Sequence, residues 1–271
     1  MPSLPTLSGD PLPIAQPVPM QRLRVLFALI LRDMSAKFGR SVGGYLWAVA
    51  EPLGGIVLLA VAFSIALRMP PIGTSFLFFY ATGIIPFTIY SNIAGSAANA
   101  VRANRGLLSY SVVTPLDAVL AGALLELLTM GVVAALLFVG IILVDGVTVN
   151  FEPIRVVRAF AMAALLGLGI GTLNCVLFGF FPTWKNIWSV LTRPLFIISG
   201  IFFTFNSAPP AMQKVLWYNP ISQIIGEMRA GFYGSYRADY VSDSYVFGIG
   251  LTLFVIGAWL LRRHASYLIE Q

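Results

Sequence analysis

Long apolar runs alternate with short polar breaks along this chain. Crossing the hydrocarbon core of a bilayer as a helix takes about 20 consecutive apolar residues. Runs near that length fall at about 46–67, 76–98, 118–144, 156–180, 187–206 and 244–261. The pattern predicts an all-α integral membrane protein with six transmembrane helices. Ahead of the first run, Leu23, Phe27, Ile30, Leu31, Met34 and Phe38 recur at helical spacing within about 21–42. Arg22, Arg32, Asp33 and Arg40 fall on the opposite side, with Arg24 and Lys37 at the rims. Such a helix is expected to lie in the membrane interface; packing on a neighbouring helix is the plainer alternative.

Between the last two runs the pattern changes. Pro209 and Pro210 open one short piece over 211–218, and Pro220 opens another. In the second, Ile221, Ile224, Ile225, Met228 and Phe232 make one apolar face. Neither piece is long enough to span a bilayer. The segment 209–235 is therefore expected to be a pair of short helices that dip into the outer, periplasmic edge and return. The second run holds Gly83, Pro86 and Gly95, breakers that membrane helices tolerate when neighbours satisfy the backbone. Gly167, Gly169 and Gly171 in the fourth run allow close helix approach. Residues 1–20 carry Pro2, Pro5, Pro11, Pro13, Pro17 and Pro19, no basic residue and no unbroken apolar core. They read as a flexible cytoplasmic tail and not as a cleavable signal. Residues 21–271 form one membrane domain, with no internal repeat.

Composition agrees with that division. The 271 residues are 58% hydrophobic and 10% charged, with mean hydropathy +0.85; a soluble domain carries about 25% charged residues. The formal net charge of +6 gathers at predicted membrane edges, where anionic lipid attracts it. No basic stretch is interleaved with aromatics, so nucleic acid is not an expected partner. One cysteine, Cys175, rules out a disulfide within the chain, and the one histidine, His264, leaves no basis for histidine metal sites or acid–base dyads. No metal ligand set or catalytic residue is expected. With both termini in the cytoplasm, the inner segments hold Arg22, Arg24, Arg32, Lys37, Arg40, Arg102, Arg105, Lys185, Arg262 and Arg263. The outer segments hold the shorter set Arg68, Arg155, Arg158, Lys214, Arg229 and Arg237, nearly balanced by Asp145, Glu152, Glu227, Asp239 and Asp243. The excess of inner Lys and Arg favours that orientation.

Several stretches resemble the permease subunit of bacterial capsular-polysaccharide ABC exporters, within the ABC-2 superfamily. Leu31-Arg32-Asp33, Lys37-Phe38-Gly39-Arg40, Gly44-Tyr45-Leu46-Trp47-Ala48 and Glu51-Pro52 look like that family's approach to its first span. Gly83-Ile84-Ile85-Pro86-Phe87 looks like its second-span signature. Asn104-Arg105-Gly106-Leu107-Leu108 and Thr114-Pro115-Leu116-Asp117 are similar to its first cytoplasmic loop, and Trp217-Tyr218-Asn219-Pro220 to the element before its last span. The resemblance runs from about residue 21 onward. Lys37 departs from it, standing where arginine is more usual; the charge stays but the bidentate geometry goes. The resemblance implies a homodimer, with the path between protomers and spans one and five at the seam. The cargo would be capsular polysaccharide, lipid-linked, crossing the bacterial inner membrane. It also implies a periplasmic polysaccharide co-polymerase or adaptor leading to an outer-membrane channel. Related permeases for O-antigen, teichoic acid or a drug share the scaffold. An ion-coupled secondary transporter or a non-transporting scaffold fits less well.

Export needs an energy source, and the chain has no G-x-x-x-x-G-K-[ST] loop; Gly-Lys never occurs. ATP and Mg are therefore expected on two copies of a separate ATPase subunit, and this chain is not an enzyme. The resemblance makes 101–116 a coupling helix that docks on that ATPase, with Arg102, Asn104, Arg105, Leu107 and Tyr110 as candidates; a plain connecting loop is the alternative. Aromatic faces suit a sliding sugar polymer. Tyr45, Trp47, Phe87, Tyr90, Trp188, Phe202, Phe203 and Phe205 are the path candidates, although Trp and Tyr favour interfaces in any case. Arg22, Arg24, Lys37 and Arg40 are candidates for an anionic lipid head group, whether the cargo's or the membrane's. Charges inside spans are costly and usually functional; Glu51, Glu126 and Arg193 qualify. Glu126 is expected to pair with Arg193 or Arg158, and Glu51 to shape a gate or cap a helix.

Overall fold

The computed structural model describes residues 19–38, 43–108 and 113–270, with the side chains at 19–22, 38, 43–45, 66 and 270 outside that description. The expected tail at 1–18, Arg40 and Tyr110 therefore lie outside the described residues, as do the side chains of Arg22 and Tyr45. Everything described is helix or connecting backbone, with no strand among the described residues. In order these are α1 (Pro19–Phe38), α2 (Gly43–Ala66), α3 (Phe76–Ala103), α4 (Arg105–Leu108), α5 (Pro115–Asp145), α6 (Pro153–Phe180), α7 (Trp184–Ile198), a 3-10 turn (Phe205–Ser207), α8 (Pro210–Tyr218), α9 (Pro220–Phe232), α10 (Asp243–Arg263) and α11 (Ala265–Glu270).

Local chemistry sets many of the boundaries. Ser75 caps α3 by accepting from the Phe78 N–H. Thr114 and Asp117 form a reciprocal capping box at the start of α5, with Pro115 at the first helical position. Gly146 ends α5 in the left-handed region, φ 60°. Pro153, Pro210 and Pro220 open α6, α8 and α9, where a missing N–H costs nothing.

Among the described residues, five helices are long and apolar enough to cross a membrane: Leu46–Ile65 within α2, then α3, α5, α6 and α10. The expected span at about 187–206 takes a different form. α7 has 15 residues, about 22 Å of helix against a core of about 30 Å. It stops at Ile198, and the backbone turns at Gly200 (φ 80°) before the 3-10 turn. Hydropathy runs on through the break, so periodicity gave no warning of it. The short pair before the last span is present as α8 and α9, while α11 was not anticipated.

α6 is the centre of the bundle. α3 and α10 pack along it, α5 and α2 flank α3, α9 folds onto α6 and α3, and α1 lies on α5. Without a hydrophobic drive between helices in lipid, close van der Waals contact has to hold them. The small residues supply it: a methyl group at Gly171 would come within 2.6 Å of the Ala94 carbonyl oxygen. α1 packs on a neighbour, the plainer of the two readings, and keeps an exposed apolar side. Leu29 and Ile30 bury against Ala121 and Leu125 of α5, while Leu23, Phe27 and Leu31 stay exposed for lipid. α2 and α7 are the least covered long elements; α7 has no buried residue at all.

Candidate transport path and coupling elements

One end of the bundle is organised by α1, the end of α3 and the start of α5. Asn104 closes α3: its backbone N–H reaches Ala100 O and Val101 O, and its side-chain amide donates to Ala100 O at 2.9 Å. Its Oδ1 accepts from the Arg32 guanidinium, which also holds Asp33 Oδ1 at 2.5 Å. Four residues further, Leu108 seats in an apolar cluster with Val101, Val119, Leu261 and Leu268. Of the coupling candidates, Asn104 is thus a structural anchor. Leu107 packs beside the α1–α5 contact, Arg105 is half-buried and Arg102 is exposed.

Glu126 lies nearly buried in α5 and pairs with Lys37 of α1, Nζ to Oε1 2.5 Å. This corrects the expected partners. Arg193 is exposed on α7, and Arg158 sits at the opposite end of α6, bonded to Asp243 at 2.6 Å. The cause is the docking of α1 along α5, a contact across 89 positions that periodicity cannot reveal. Lys37 is likewise committed to this pair instead of facing only lipid, whereas Arg24 is exposed. A cavity of about 440 Å³ opens here between α1, α3 and α5. Glu51 is exposed on α2.

Part of the aromatic set comes together. Phe87 meets Tyr90 and Phe196 edge-on, with centroids 6.0 and 5.1 Å away. Phe196 meets Phe202 at 5.5 Å, and Phe202 meets Phe63 at 5.6 Å. These rings form a chain across α3, α7, the break after it, and α2. Phe63 and Phe196 were not among the candidates; both sit in runs whose phenylalanines look like lipid-facing filler. Tyr90 is buried in the core, 2% exposed. Trp188 and Lys185 of α7 share a cavity of about 250 Å³ with the Tyr90 stretch of α3. Phe205 stacks on Tyr240 at 4.0 Å. Trp47 stands apart on α2, 69% exposed.

At the other end of the bundle, sequence reasoning passed over the two charges that matter to the packing. Glu227 of α9 is 2% exposed and faces Arg155 at 3.4 Å and Arg158 at 3.5 Å. Burial pushes its carboxyl up, Arg155 and then Arg158 draw it back, and Asp243 adds to the rise. Arg229, two positions on, is fully buried. Its Nη1 donates to Gly200 O and Phe203 O at 2.8 Å, its Nη2 to Ile201 O at 2.9 Å, and its guanidinium lies 4.2 Å over the Phe79 ring. Charged residues inside an otherwise apolar helix face were the available signal. Among the described residues no group of His, Cys, Asp and Glu gathers to hold a metal.

The geometry is that of a helical bundle with membrane-spanning lengths, a polar corner between α1, α3 and α5, and two thinly covered helices. Comparison with known proteins gives the same frame. Residues 24–233 match the family described as ABC-2 type transporter. The chain is 31% identical to the polysialic acid transport protein KpsM of Escherichia coli over 244 residues, 90% of this chain and 95% of that one. It is 27% identical to the capsule polysaccharide export inner-membrane protein CtrC of Neisseria meningitidis, over 90% of this chain and 92% of the other. It is 24% identical to the capsule polysaccharide export inner-membrane protein BexB of Haemophilus influenzae, over 95% and 97%. With more than two thirds of its length inside the match, and with helices built to cross a bilayer, this chain belongs to the ABC-2 type transporter family.

Proposed function

We propose that this chain is the transmembrane subunit of an ATP-driven exporter that carries lipid-linked capsular polysaccharide across the bacterial inner membrane. The observation that carries the reading is the end-to-end relation, over nine-tenths of both chains, to a protein named for polysialic acid transport. In this reading two copies pair across α2 and α7, whose faces are the least covered in one copy. The polymer passes along the seam, against the rings of Phe87, Phe196, Phe202 and Phe203. Two copies of a separate ATPase bind Mg-ATP and dock on α4 and the loop that follows it. Both termini and α1 face the cytoplasm, and α8 and α9 face the periplasm. There a co-polymerase or adaptor receives the polymer for an outer-membrane channel. The Arg32–Asn104 and Lys37–Glu126 contacts tie α1 to both sides of the coupling loop, so a push on α4 reaches the interface helix.

Reconstitution of the chain with its ATPase in lipid vesicles tests the reading. ATP-dependent movement of a lipid-linked acidic capsular polymer is expected, with an O-antigen polymer moved more slowly. Nucleotide hydrolysis by the purified chain alone, or ATP turnover with no polymer moved, overturns it. Arg105→Glu is expected to reduce recovery of the ATPase on the purified chain; undiminished recovery across a scan of 101–116 removes the docking assignment.

A further inference from the structure

We infer that Arg229 is a positioning residue for the outer end of the transport path: by capping the broken end of α7 it fixes the backbone that carries Phe202 and Phe203. The inference rests on the reading that these rings meet the passing polymer.

α7 ends too soon to cross the hydrocarbon core, and the chain continues as irregular backbone from Ser199 to Thr204. Irregular backbone at that depth persists only where protein satisfies its polar groups. Three of the carbonyls concerned, on Gly200, Ile201 and Phe203, receive their hydrogen bonds from one side chain, Arg229. Its planar fork of donors reaches several acceptors at once, which a lysine ammonium on a flexible stem cannot reproduce. Among the described residues no carboxylate pairs with it; the charge is held by carbonyl dipoles and the face of Phe79. Glu227, the nearest acid in its helix, is turned to Arg155 and Arg158 instead.

The two elements joined by this contact are held very differently. Every residue of α9 after Pro220 is buried, and the helix is seated on α3 and α6. α7 contributes no buried residue. The break that follows it is held by Arg229 on Gly200, Ile201 and Phe203, beside Asn219 on the Ile198 carbonyl and the buried side chain of Ile201. The fit is close: a methyl group at Gly83 of α3 would come within 3.3 Å of both Arg229 Nη2 and the Ile201 Cα. The coupling loop is remote, about 30 Å away along α3 from Gly83 to Asn104.

The experiment places a cysteine at Phe203 in the full chain, with Cys175→Ala removing the native thiol, and co-expresses the ATPase. Labelling by a membrane-impermeant maleimide is read in that background, and polymer exported per ATP hydrolysed is read in the chain that keeps Phe203. Loss of three charge-assisted hydrogen bonds in Arg229→Met is expected to raise the labelling rate at 203 by about tenfold or more and to lower export per ATP by a similar factor. Arg229→Lys, able to reach fewer of the carbonyls, falls between; if packing volume alone mattered, the methionine variant would behave at least as well as the lysine variant. Labelling and export within about twofold of the parent in Arg229→Met overturn the inference. Should that variant fail to accumulate, Arg229→Lys, which keeps the charge but not the planar fork, is read in its place; labelling and export within about twofold of the parent there are equally decisive. Faster labelling with no polymer moved by the parent protein would sink the export reading and leave the Arg229 assignment standing.

Discussion

Glu126 shows how much of a single side chain's situation can be read before its neighbours are known. A carboxylate in the middle of an apolar run has to find a cation, and that much follows from the sequence. Which cation does not: Lys37 comes from a helix 89 positions earlier, brought there by Leu29 and Ile30 packing on Ala121 and Leu125. One carboxylate oxygen takes the lysine, and the other is buried with no hydrogen-bond partner. Lys37→Met should therefore lower stability by about 1–2 kcal/mol, with the lysine's partial exposure moderating the loss. Thermal unfolding in detergent reads it. Pairing Lys37→Met with Glu126→Leu should restore most of the loss, since an apolar pair of similar volume often replaces a charged one without penalty. A double variant no more stable than the single would remove the pair from the account.

Helices whose ends are written in local chemistry were legible. Pro210 and Pro220 mark α8 and α9 within a residue of the expected starts, whereas α5 opens at Pro115, ahead of the expected run from about 118, because the Thr114–Asp117 capping box is polar and reads as loop. α7 was not legible, because Ile201, Phe202 and Phe203 keep hydropathy high after the helix has ended. The information sits in a conformation, the positive φ of Gly200, which no apolar count can see. α11 was hidden for the opposite reason: Arg262, Arg263 and His264 looked like the close of the last span, and six further helical residues follow them. The break gives a direct expectation. Gly200→Ala puts a side chain into left-handed backbone and should cost about 1–2 kcal/mol. It should also shift proteolysis toward 199–207, and an unchanged digestion pattern and melting midpoint would show that the turn tolerates the methyl.

One copy of the chain leaves α2 and α7 thinly covered while burying α3 and α6 deeply. An exposed apolar face inside a bilayer has two occupants to choose between, lipid and a second copy. Phe63 of α2 and Phe196 of α7 both meet Phe202, so these two faces adjoin, as a continuous dimer seam requires. α5 is exposed as well, with Leu136 57% accessible, but it carries none of the rings that join α2 to α7. In a background with Cys175 removed, Leu58→Cys should give a crosslinked dimer in membranes and Leu136→Cys should not. Equal crosslinking from both positions would count against the seam. None of this was visible in the composition, which gives the number of apolar residues and not the side each faces.

The short helix α11 has a practical consequence. Its Leu268 sits in the same apolar cluster as Leu108 of α4, and Tyr267 stacks on Phe180 at the C-terminal end of α6. A purification handle fused directly after residue 271, or a stop codon placed before Ala265, would disturb the seat beneath α4 without altering any residue of the loop itself. Expression plasmids with the handle on the other terminus should recover more ATPase with the chain, and comparing the two designs at equal yield would reveal it.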